Sequence, residues 1–234
     1  MRLFAAALVL MTSGCAATGE PAAALHEASV KPGINDSFLG EDFSIEDGLA
    51  RFEVESREVF VARDALVAAL GLERGMEIAD VGAGTGLFVG PFAEAVGSQG
   101  RVFAVDLVPK FVDHLRERAR EAGLDQVVTV QCTERSAELE ARSVDVIFTC
   151  DTYHHFEYPR STLASLYTAL RPGGQLVIVD FERIPGVTQE WIMNHVRAGK
   201  DVVTAEVLAA GFRFDAELEV VGLSDNYCIR FVRP

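Results

Sequence analysis

Five short apolar runs, "MEIADVG", "RVFAVDL", "VVTVQC", "VDVIFTC" and "QLVIVDF", alternate along the chain with segments of helical apolar spacing. Each run is nearly continuous in Val, Ile, Leu and Phe, as in a strand buried on both faces, and the segments between them supply the covering helices. Residues 56–72 place Val59, Phe60, Leu66, Val67 and Leu70 at helical spacing. Residues 87–97 read as a helix stopped at Gly97, and 109–124 as one with Pro109 in its first turn. "PRSTLASLYTAL" carries Leu163, Leu166, Tyr167 and Leu170 on one stripe. "RPGG" reads as a turn into the fifth run, and helices over 188–198 and 201–210 precede late strands near 213–221 and 226–233. The pattern predicts an α/β fold, a doubly wound, mostly parallel sheet of seven strands ending in an antiparallel hairpin.

At 234 residues, 49% hydrophobic and 24% charged, the chain has enough apolar content for one such core. Its net charge of −14, without a Lys/Arg-rich run, would repel a phosphate backbone, so no nucleic-acid partner is expected.

The N-terminus differs in character. "MRLFAAALVLMTSGC" has Arg2, an apolar stretch from Leu3 to Met11 and small residues before Cys15. That is the order of a secretory signal, and it is too short to span a bilayer as a mature helix. The expected organisation is a signal peptide over 1–14, a flexible tether over 15–33 and a folded domain over 34–234. Cys132, Cys150 and Cys228 are far apart and odd in number, with no CxxC or Cys/His zinc spacing, so buried reduced thiols are expected.

The sharpest motif is "IADVGAGTGLF", residues 78–88. Gly82, Gly84 and Gly86 lie between the first strand and its helix, where bare backbone admits a ligand and the helix end offers free N–H groups. Leu87 and Val89 occupy the positions that a third dinucleotide-type glycine would need, and the Gly-Lys-Ser/Thr of a P-loop is absent. Neither a nicotinamide nor a P-loop phosphate motif is satisfied.

"DVGAGTG" resembles the first motif of class I S-adenosylmethionine (SAM)-dependent methyltransferases, and the resemblance runs from about Ile78 to Pro234. "VFAVDL", "SVDVIFTCDTYHHF", "LRPGGQLVIVDF" and "EVLAAGF" are similar to later motifs in the same order, nearest to the small-molecule group that includes quinone C-methyltransferases. The resemblance implies SAM as cofactor and a small-molecule methyl acceptor as partner. It implies cofactor contacts at Asp80, Gly82, Gly84, Gly86, Asp106, Leu107, Thr133, Cys150 and Asp151, with Asp106 on the ribose hydroxyls. Thr133 stands where the family usually carries Asp near the adenine. A Cys directly after "TSG" resembles a bacterial lipoprotein leader, with Thr12 where Leu is usual. This implies an exported protein in a bacterium, or one attached to the membrane through a lipidated Cys15; the alternative is a cytoplasmic protein.

"CDTYHHF" (150–156) follows the fourth strand at the edge where ligands bind in open α/β sheets. Pro159 opens the next helix, so Asp151–Tyr158 reads as a loop facing the donor site. Methyl transfer rests mainly on positioning and needs a base only where the acceptor must lose a proton. His154, His155 and Tyr153 are the catalytic candidates, with His154 foremost as base and Tyr153 orienting the acceptor. No metal is expected, because adjacent histidines point apart on an extended loop. Further on, Trp191 and His195 share a helix face, with Arg197 and Lys200 nearby as candidate holders of an anionic acceptor. Residues 32–38 and 225–227, with Arg57 and Arg63, are candidates for a lid. The rival to an enzyme is an exported binding or sensing module that holds a SAM-like ligand without turnover.

Overall fold

The computed structural model describes residues 27–54 and 57–234. The leader, Cys15 and the tether up to residue 26 lie outside the described residues. Seven strands form one sheet in the order β3-β2-β1-β4-β5-β7-β6. They are β1 Glu77–Val81, β2 Arg101–Asp106, β3 Val127–Gln131, β4 Val144–Cys150, β5 Leu170–Phe181, β6 Arg213–Glu217 and β7 Asn226–Val232. The first five pair in parallel, while β7 runs antiparallel to both β5 and β6. This is the expected doubly wound sheet with a late antiparallel hairpin.

Side chains alternate across the central strands into two apolar layers. Ile78, Val102, Val146, Phe148, Val177 and Val179 pack on one face with Phe92, Val96, Leu66 and Leu70. Ala79, Val105, Ile147, Leu176 and Ile178 pack on the other with Leu163, Leu166, Val203 and Phe212. The helices behind these layers are α4 (Arg63–Ala69), α5 (Val89–Val96), α6 (Pro109–Glu121), α7 (Pro159–Ala169) and α9 (Lys200–Ala209). Burial on both faces explains why the strands read as continuous apolar runs. A third cluster, of Phe43, Val108 and Phe111 with Phe38, Ile45 and Phe52, packs α1 (Asp36–Leu39), α2 (Ile45–Phe52) and the loop between them against the start of α6.

Several boundaries differ from the sequence reading. The helix expected over 56–72 is two, α3 (Glu58–Val61) and α4, separated at Ala62 (φ −83°, ψ 6°). Glu58 in α3 accepts hydrogen bonds from the amides of Ser224, Asp225 and Asn226, which ties this short helix to the final hairpin. "RPGG" is drawn into β5, where Leu170 pairs with Val144 across a register irregularity. α8 is confined to Glu190–His195.

The end of the expected tether is docked onto the domain. Glu27 is buried, and its carboxylate accepts from the amides of Arg160 and Ser161 at 2.8 Å each and from the Ser161 hydroxyl at 2.6 Å. It caps α7 from outside the helix, satisfying N–H groups that the Pro159 start leaves free. Among the described residues no helix is long and apolar enough to cross a membrane.

Candidate functional site

β1 passes to β2 and β3 on one side, and β4 passes to β5 on the other, so the strand order reverses between β1 and β4. The carboxyl ends at such a reversal bound a crevice. Here β1, β2 and β5 carry Asp80, Asp106 and Asp180 at that edge, and Asp151 directly follows β4.

Three adjoining cavities open there, and Phe52 and Asp151 line all three. The first is walled by Gly82, Gly84, Asp106, Leu107, Cys132 and Thr133. Gly82 has φ +79°, and a Cβ on it would fall 2.2 Å from the Thr152 methyl, so only glycine fits. The Gly84 amide donates to Asp106 Oδ2 at 2.8 Å and the Val108 amide to Oδ1 at 2.8 Å, which fixes the carboxylate at the cavity wall. Burial raises Asp106 to about 6 against the lowering effect of these amides. Gly86 lines none of the three cavities; its bare α-carbon faces Leu115 of α6, so it serves packing rather than ligand contact.

The second cavity is walled by Asp80, Cys150, Asp151 and Arg57. Asp80 is buried, and its Oδ2 has no hydrogen-bond partner. Burial, reinforced by the Asp106 charge, pushes its carboxyl up to about 8. An unpartnered buried acid costs free energy unless a donor completes it, and a ligand ammonium group would do so. Burial also holds the Cys150 thiol well above its ordinary value, so it contributes an apolar wall. Asp151, with φ +50°, pairs with Arg57 and accepts from Asn226 Nδ2; burial raises it to about 6 although Arg57 opposes.

These two cavities suit SAM. Asp106 can accept ribose hydroxyls, Asp80 can meet an ammonium, and Arg57 is the sole Lys or Arg among the described residues lining either cavity, already engaged by Asp151. A phosphate ligand would instead require free cations.

The third cavity, of roughly 430 Å³, lies across Phe52 and is lined by His154, His155, His195, Phe181, Trp191 and Asn226, among others. The segment after β4 is not extended: Tyr153–His155 form a 3-10 turn that sets the His154 and His155 rings 4.4 Å apart. This corrects the expectation that adjacent histidines diverge. His154 donates its backbone N–H to Asp180 Oδ2 at 3.0 Å, and its Nδ1 lies 2.8 Å from Asp180 Oδ1. Since carboxylate oxygens only accept, Nδ1 carries a proton there, which leaves Nε2 as the nitrogen available to other partners. His155 is pushed down to about 2, by burial first and then by the nearby His154, His195 and Lys31, so it stays neutral and is a poor base.

Tyr153 does not reach the acceptor side. It is 0% exposed, lines none of the three cavities and donates its hydroxyl to Glu206 at 2.8 Å. Burial and Glu206 raise its phenol far above the usual value. Arg197 and Lys200 are likewise committed, Arg197 to Glu206 and Lys200 to Glu182 and Glu217, so neither is free for an anionic acceptor. Arg63 pairs with exposed Asp64 at the surface. Asn35 and Phe38 do wall the ligand space, as does Asp225. Asn226, within the 225–227 lid candidate, also lines the third cavity, whereas sequence reasoning missed Asp180 and Phe52. Of these, Asp180 carried a signal, an acid closing an apolar run as Asp106 does.

Residues 79–178 match a family model described as a methyltransferase domain. Over 114 residues the chain is 28% identical to the ubiquinone/menaquinone biosynthesis C-methyltransferase UbiE of Klebsiella pneumoniae and 27% to that of Idiomarina loihiensis. Each match covers 48% of this chain and 45% of the relative, so the chain spans less than half the length of these curated relatives. A SAM-dependent methyltransferase from Aquifex aeolicus superposes with a TM-score of 0.68 at 27% identity, over 81% of this chain and 97% of that one. Geranyl diphosphate C-methyltransferase from Streptomyces coelicolor shares the fold, with a TM-score of 0.63 at 14% identity over 89% and 88% of the two chains. Residues 79–178 thus match a methyltransferase-domain model, and the chain is similar in sequence and fold to SAM-dependent methyltransferases.

Proposed function

We propose that this protein is a SAM-dependent methyltransferase acting on a small-molecule acceptor, with donor and acceptor held on opposite sides of Phe52. The observation that carries the reading is the pairing of an unpartnered buried Asp80 in one cavity with an Asp180-oriented His154 in the adjoining one. SAM supplies an electrophilic methyl group and leaves as S-adenosylhomocysteine. Asp106 holds the ribose hydroxyls, Asp80 the ammonium, and Leu107 and Thr133 flank the adenine. Asp151 fixes Arg57 beside the donor. His154 accepts, through Nε2, a hydrogen bond or proton from the acceptor. Phe181 and Trp191, T-stacked at 5.3 Å, give that cavity an apolar wall suited to a planar or aliphatic acceptor.

Isothermal titration of the purified full-length chain with SAM tests the donor half. Saturable binding that weakens in Asp106→Ala is expected, and absence of binding by the folded protein overturns the reading. A coupled S-adenosylhomocysteine assay over an acceptor panel tests turnover.

The rival is an exported module that binds a SAM-like ligand without turnover. It is favoured by the burial of Tyr153 and the weak basicity of His155, which remove two of the three candidate groups. SAM binding without turnover on any acceptor, unchanged in His154→Ala, supports that rival. We infer export, with attachment through Cys15, from the leader pattern alone; mass spectrometry of the native N-terminus tests it.

A further inference from the structure

The acceptor cavity contains a group of side chains that methyl transfer by itself does not require. His154, His155 and His195 come from two separate elements, the turn after β4 and the end of α8. Each places a ring nitrogen within 4.8 Å of the other two. His155 Nε2 and His195 Nε2 are 3.3 Å apart. Two nitrogens bound to one tetrahedral ion at about 2.0–2.1 Å would be separated by about 3.3–3.4 Å. That spacing is the edge of a coordination tetrahedron.

The outer contacts fit as well. A ligating histidine commonly donates its second ring N–H to a carboxylate or carbonyl, which fixes the tautomer and turns the other lone pair toward the ion. Asp180 Oδ1 lies 2.8 Å from His154 Nδ1, and Asn35 Oδ1 lies 3.1 Å from His155 Nδ1. Both rings therefore keep Nε2 as the free nitrogen. The adverse charges nearby are Lys31, whose ammonium is turned onto the backbone carbonyls of Asn194 and His195, Arg57, which is paired with Asp151, and Arg51, which lines the same cavity.

We propose that His154, His155 and His195 form a binding site for a divalent zinc-type ion, with the fourth position open to the acceptor cavity. Three imidazoles suit zinc better than the oxygen-seeking magnesium or calcium, and a three-ligand site leaves one position for water or a substrate atom. The ion would take an oxygen or sulfur donor of the acceptor. With it bound, the His154 lone pair is a ligand, and the ion replaces the free imidazole in easing loss of the acceptor proton. This role extends the methyltransferase reading, but the site itself rests on ligand geometry and is tested without SAM.

The probe is zinc sulfate alone, titrated calorimetrically into chelator-stripped full-length protein bearing Cys15→Ser. One equivalent should bind. His195→Ala and His155→Ala should each weaken binding at least about 100-fold, and Asp180→Asn about 10- to 100-fold. His114→Ala, on α6, should change nothing. Cobalt substitution should give the absorption of a tetrahedral nitrogen-ligated ion. SAM affinity, measured in parallel, should be unchanged in His195→Ala, which separates loss of the ion from collapse of the site. No saturable zinc binding, or binding that survives both His155→Ala and His195→Ala, overturns the proposal whatever the outcome of the methyltransferase assay.

Discussion

His154 and Asp180 are joined by two hydrogen bonds, one from the His154 backbone amide and one at its Nδ1, although they sit on different elements 26 residues apart. Asp180 also accepts from the Phe181 amide at 2.8 Å, so its position is determined from three directions. Replacing it with Asn would offer an amide N–H to Nδ1, reverse the tautomer and turn an Nε2–H into the cavity. Asp180→Asn and His154→Ala are each expected to lower kcat about 100-fold or more with SAM affinity unchanged. Steady-state kinetics beside calorimetry checks both; equal losses in SAM affinity would make the pair a structural support instead.

Asp80 links donor binding to protons. With its carboxyl raised to about 8, it is neutral at pH 7 and must ionise to meet an ammonium group. SAM binding at pH 7 is therefore expected to release a proton and to tighten as pH rises from 6 to 8. Calorimetry in buffers of different ionisation heats reads the release directly. Because the folded-state value lies above the unfolded one of 3.8, the neutral carboxyl's contribution to stability is full below 3.8 and is lost as pH climbs through about 8. Asp80→Asn should remove that loss and weaken SAM binding about 10- to 100-fold.

Tyr153 separates packing from chemistry. Tyr153→Phe should cost about 0.5–1.5 kcal/mol in urea unfolding by deleting the hydrogen bond to Glu206, and leave kcat and SAM affinity unaltered. A large fall in kcat with stability intact would return the phenol to the reaction.

Glu27→Ala should destabilise the domain by about 0.5–2 kcal/mol through loss of the α7 cap. Burial raises the Glu27 carboxyl, but hydrogen bonds from Ser161 and the Arg160 amide, with the Arg160 charge, outweigh this and leave it below the ordinary 4.5. Its contribution is therefore present above 4.5 and fades as pH falls through the lower folded value. Thermal unfolding of the two proteins should accordingly converge in acid.

The central sheet was legible because its strands are buried on both faces, which forces continuous apolar runs such as residues 144–150, and because Gly82 must be glycine to clear Thr152. The acceptor side was less so. Whether Tyr153 faces ligand or core depends on one turn of 3-10 helix, and "YHH" contains no periodicity long enough to reveal it. The convergence of His195 with His155 spans 40 residues, and Glu27 meets α7 from 133 residues away. Such contacts arise from tertiary packing of short elements, where local spacing carries no information.

Phe52 and Asp151 belong to all three chambers at once. A ligand that ionises Asp151, or shifts the Phe52 ring, does so for its neighbours too. A donor and an acceptor bound in these chambers would then be coupled, each changing the other's affinity by one common factor, equal in either order of arrival.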